Sequence, residues 1–94
     1  MQVRNLNGTS DNQCKCGSWY AHWKKYSNQT ANHCVVIGCK GTELVGGHVQ
    51  KASLLDSSWY IIPICKACNG KKGQTLNVDD RVNLVSANVS QTCG

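Results

Sequence analysis

Two pairs of closely spaced cysteines, Cys34-x4-Cys39 and Cys65-x2-Cys68, constrain this chain more than any other feature of it. A tight turn with a cysteine at each end aims both sulfurs at one centre. Two such turns provide the four tetrahedral ligands that structural zinc takes. The 25 residues between the pairs (40–64) are enough for two strands that return the second pair to the first.

The chain needs such a staple. Ninety-four residues make one small domain, below the size at which an apolar core alone is comfortably stable. Aromatic residues are 6% of the total and none is Phe, so bulky core material is scarce. Seven cysteines are the obvious substitute. Residues 1–30 hold no continuous apolar run, so neither a signal peptide nor a membrane span is expected, and the predicted location is cytoplasmic. Three sequons, at Asn7, Asn28 and Asn88, matter only in a secretory pathway. In a reducing compartment, short-range thiol pairs favour metal over a disulfide framework.

The rest of the chain is read around this centre. Residues 1–13 are polar and rich in Asn and Gly, and are predicted to be a flexible N-terminus; 14–94 form the single zinc-binding domain. In "CKCGSWYAHWKKY", Trp19, Trp23 and Tyr26 recur at i, i+4, i+7, which predicts a short helix capped by Ser18. "CVVIGCKG" reads as a tight turn with glycine at the bend. "ELVGGHVQKA" (43–52) alternates like a strand, with Gly46-Gly47 suggesting a bulge or a close backbone approach. "WYIIPI" (59–64) is a second strand, Cys68 to about Gly73 opens a short helix, and "RVNLVSANV" (81–89) is a final strand. The predicted class is therefore α+β, a small zinc-stabilised domain.

Over residues 34–73 the chain resembles the HNH nuclease family in its zinc-supported treble-clef (ββα) form. "VGGHV" is similar to that family's first-strand histidine, "WYIIPIC" to its second strand, and "CKACNGKKG" to its cysteine pair running into a basic helix. The resemblance implies that His48 is the general base for water attacking a phosphodiester, with Mg2+ or a similar divalent ion opposite. It also implies metal ligands at Gly47 and Asn69, and an orienting asparagine where Tyr60 stands. Glycine offers no ligand and Asn69 is a neutral amide. A working nuclease would need a carboxylate from elsewhere, such as Asp56, Asp79 or Asp80.

Cys14, Cys16 and Cys93 are left over. Cys14 and Cys16 can face one metal from a turn, and Cys93 with His22 completes a second Cys3His tetrahedron; His33 is the rival fourth ligand. The net charge of +5 suits a polyanion but is equally compatible with ordinary solubility. Lys66, Lys71 and Lys72 around the second cysteine pair are the candidate phosphate contacts, whereas the aromatics beside Lys24 and Lys25 are expected to be core. These features lead to a zinc-binding HNH-like domain that binds nucleic acid, DNA favoured, with weak or no cleavage. Two alternatives stay open: an active divergent nuclease using His48, and a protein-binding regulatory module whose zinc is purely structural.

Overall fold

The computed structural model describes residues 1–6, 15–53 and 55–88. Its elements run β1 (Gln2–Asn5), α1 (Trp19–Ser27), β2 (Leu44–Lys51), β3 (Tyr60–Cys65), α2 (Lys66–Asn69), β4 (Thr75–Asn77) and β5 (Val85–Ser86). The strands form one antiparallel sheet in the order β4-β1-β2-β3-β5. No helix among the described residues is long and apolar enough to cross a membrane.

The β2–β3 hairpin is the backbone of the fold. Its register runs unbroken from Leu44 opposite Cys65 to Val49 opposite Tyr60. Pro63 is tolerated here because its ring nitrogen faces away from β2. On that same edge its carbonyl accepts from Val35 N at 3.3 Å, beyond the reach of β5. Strand alternation then sorts side chains onto two faces. On one face Val3, Val49, Ile62, Ile64, Leu76 and Val78 pack with the cysteines into the larger core. On the other, Trp23, Ile61 and Val85 form a smaller core beneath α1.

α1 begins where the sequence places it. Ser18 is extended (φ −154°) and its hydroxyl accepts from Ala21 N at 3.0 Å, capping the first turn. Asn28, at φ 57°, ends the helix in the left-handed region. The buried stripe is His22, Trp23 and Ser27, with Trp19 half-buried; Tyr26 stays 37% exposed at the margin, so the apolar face is rotated from the predicted one. Lys24 and Lys25 lie over the rings of Tyr20 and Tyr26, at 5.2 and 5.3 Å from their centroids.

Gly46 and Gly47 make close approaches and no bulge. A Cβ on Gly46 would lie 2.3 Å from the Trp19 carbonyl carbon, so glycine lets the start of α1 rest directly on the sheet.

Three further expectations are corrected. The predicted flexible N-terminus contains an inner strand: Val3 is fully buried between β2 and β4, because alternate residues Gln2 and Arg4 point outward and give too short a pattern to read. Residues 7–13 lie outside the described residues. The second helix is one turn at Lys66–Asn69, starting directly at Cys65 rather than Cys68, because the Cys65 sulfur itself caps it. The predicted strand 81–89 reduces to Val85–Ser86 within the described residues, and Thr75–Asn77 supplies the other edge.

Candidate metal centre

The sulfurs of Cys34, Cys39, Cys65 and Cys68 all lie within 4.8 Å of one another, the one cluster of metal-ligating side chains among the described residues. Cys39 Sγ is 3.6 Å from Cys65 Sγ and 3.7 Å from Cys68 Sγ. Four sulfurs about 2.3 Å from a central ion in a tetrahedron sit roughly 3.8 Å apart, so the cluster already has the dimensions of a thiolate metal site.

Local sequence explains each ligand. The first knuckle turns at Gly38, whose φ of 84° suits glycine, and closes through Cys39 N to Val36 O at 3.0 Å. Cys34 N donates to Gly41 O at 2.8 Å, which fixes the base of the loop. A Cβ on Gly41 would stand 2.8 Å from Cys65 Sγ, so this glycine clears the space the cluster occupies. That role is not legible in the residue pattern around it. In the second knuckle, Cys68 N donates to Cys65 Sγ at 3.5 Å.

The electrostatics of the cluster call for a cation. The Cys68 N–H bond is the main reason the Cys65 thiol falls to about 7. Burial pushes Cys34 up, and burial together with the crowded neighbouring thiols pushes Cys68 up. The Cys65 thiol ionises readily while those of Cys34 and Cys68 resist, and a divalent ion at the centre would favour the thiolate form of the cluster.

Behind this centre Asn5 is fully buried, and its side-chain amide donates to Cys68 O at 3.2 Å and Asn69 O at 3.1 Å. It ties β1 to the end of α2, a role that a lone polar residue near the start of a chain does not advertise.

The residues expected to surround a catalytic ion are arranged differently. Gly47 and His48 are successive strand residues and face opposite sides. The Cβ position of Gly47 looks at Ile64 Cδ1 (2.4 Å) and Asn69 Oδ1 (3.4 Å), whereas the His48 ring packs against Trp19 with centroids 4.5 Å apart. The space a ligand at position 47 would use is filled by Ile64. Asn69 Oδ1 accepts from Lys72 Nζ at 3.2 Å, which places a positive charge where a divalent ion would bind. Tyr60, in the third signature position, donates its hydroxyl to Asp56 at 2.7 Å.

His48 itself is 5% exposed, set edge-on to Trp19 and to Trp59 (6.3 Å), and its Nε2 has no hydrogen-bond partner among the described residues. Burial, then the charges of Lys72 and His22, lower it to about 4, so it is neutral at ordinary pH and a weak base.

Of the proposed second site, Cys14 and Cys93 lie outside the described residues. The other two members do come together. His22 is fully buried, its Nε2–H donates to the Ser86 carbonyl at 2.9 Å, and its Nδ1 faces Cys16 Sγ at 3.8 Å. Cys16 is disulfide-bonded in this structure, and a sulfur in that state carries no thiolate charge to offer zinc. His33 instead donates from Nδ1 to Cys34 O at 2.9 Å, beside the first knuckle.

Lys66, Lys71 and Lys72 are all exposed around α2, with Lys66 3.8 Å from Glu43. No family model, curated protein or solved structure matches the chain, so its likeness to HNH nucleases rests on the quoted residues alone.

Proposed function

We propose that this chain is a zinc-stabilised module that grips the phosphate backbone of nucleic acid and does not cut it. The distribution of its charges carries this reading. Glu43, Asp56, Asp79 and Asp80 each sit beside a cation: Lys66, Lys51, Arg81 and the Met1 amine. Arg4, Lys15, Lys24, Lys25, Lys40, Lys71 and Lys72 are exposed and have no ion-pair partner among the described residues. A surplus of exposed, uncompensated positive charge favours phosphate contact. Among the described residues the carboxylates already sit beside cations, which disfavours a catalytic divalent ion. Lys71 and Lys72, directly after α2, are the first contacts assigned, with Lys66 beside them.

The order of knuckle, hairpin, second knuckle and helix supports a treble-clef arrangement of HNH type. Four thiolates in a compact tetrahedron favour zinc over harder ions. The filled space at Gly47 and the Lys72 charge on Asn69 weigh against cleavage by His48.

The test is a titration of labelled DNA duplex by the zinc-loaded chain at salt between roughly 50 and 200 mM. Affinity should fall steeply with salt. Replacing both Lys71 and Lys72 by Gln should weaken binding and reduce the logarithmic salt slope by about two. No binding, or binding indifferent to salt, would sink this reading and favour the protein-binding module. Supercoiled plasmid with Mg2+ or Mn2+ should stay intact. Nicking that disappears in His48→Ala would restore the nuclease.

A further inference from the structure

Among the described residues, the helices leave part of one sheet face uncovered. α1 packs over β2, β3 and β5, while among the described residues no helix packs on the β4–β1 side of the same face. By register, Thr75, Arg4 and Gln50 lie in one row across three strands, with Asn77 and Gln2 in the next. Gln2, Arg4, Thr75 and Asn77 are exposed and Gln50 is half-buried. The row continues to Trp59, which is placed on this face by its edge contact with His48 and extends β3 through its carbonyl bond from Ala87 N at 3.0 Å. Trp59 is 42% exposed and borders an open groove of about 400 Å³ lined also by Ser58 and Ser86.

The chemistry of this strip is specific. Among the described residues it combines amide and hydroxyl side chains, a guanidinium without an ion-pair partner and an accessible indole, with no carboxylate in the strip. Amides and hydroxyls pair with base edges, an arginine holds phosphate or stacks, and an indole stacks on any base. A duplex keeps its bases stacked inside and could not reach the indole. We infer that this open face binds single-stranded nucleic acid, with an unpaired base stacked on Trp59 and the adjoining backbone held by Arg4. The inference deepens the nucleic-acid reading above and rests on it, but uses a different surface from the lysines after α2.

Fluorescence anisotropy with a single-stranded oligothymidine and a blunt DNA duplex of equal length separates the two surfaces. Trp59→Ala should weaken single-strand binding about tenfold and leave duplex binding nearly unchanged. Trp59→Phe, which keeps a stacking ring, should recover most of the loss and guards against a folding artefact. Arg4→Gln should weaken single-strand binding several-fold. Failure of the wild type to bind either probe overturns both readings. Duplex binding with single-strand affinity indifferent to Trp59 overturns this one alone. So does a dimer in sedimentation velocity that Trp59→Ala dissolves, since the face would then serve a second copy of the chain.

Discussion

His48 shows how one residue acquires a different role from the one its motif implies. Its neighbours in sequence resemble a nuclease strand, yet strand alternation turns its ring under α1, between Trp19 and Trp59. It accepts a proton near pH 4 in the folded chain, against an ordinary value of 6.5. Between those values the unfolded chain binds more protons, so the contribution of neutral His48 is complete above pH 6.5 and is lost as pH falls toward 4. Denaturant midpoints at pH 7 and pH 5 should therefore drop more for the wild type than for His48→Phe. Equal drops would mean that some other group titrates. The position of His48 was legible in the sequence, but its direction was not, because the choice of face depends on where α1 docks. Asn5 was invisible for a related reason: its value lies in two carbonyls more than sixty residues away in the chain.

At the scale of elements, the glycine pair was expected to mark a bulge or a close approach; it marks close approaches, and its two members do different work. Gly46 admits α1 and Gly47 admits Ile64, on opposite faces of β2. Gly46→Ala should cost about 1–3 kcal/mol or more, read from the denaturant midpoint, since its Cβ meets backbone that cannot rotate away. Gly47→Asp, which restores the expected ligand type, should destabilise the fold and still yield no Mg2+-dependent cleavage. A stable, cleaving Gly47→Asp protein would show that Ile64 yields. The long strands and α1 were legible because they carry enough apolar residues to show a period. The short edge strands and the one-turn helix were not, since two to four residues hold no period and their pairing is set by partners elsewhere.

For the molecule as a whole, the metal centre joins a loop, the hairpin and α2 at one point. The first knuckle is bound to the hairpin through Val35 N to Pro63 O, and the second opens α2, so the four sulfurs bridge loop, sheet and helix. Removing the ion should thus act on folding and not merely on a local loop. Cys34→Ser should lose one equivalent of zinc by elemental analysis, and a chelator should lower the unfolding temperature of the wild type far more than that of the variant. Full zinc retention in Cys34→Ser would place the ion elsewhere. This site was the most legible part of the chain, because a knuckle writes its geometry into the spacing of its own residues. A disulfide at Cys16 was not legible, because cysteine pairing cannot be deduced from sequence alone.

The strand order has one more consequence. The two longest strands, of eight and six residues, are both interior, and the sheet ends in edges only three and two residues long. An exposed strand edge is a template on which another chain can add itself, ribbon to ribbon. Among the described residues the outer strands offer only a short stretch of that template, which disfavours such ribbon-to-ribbon growth.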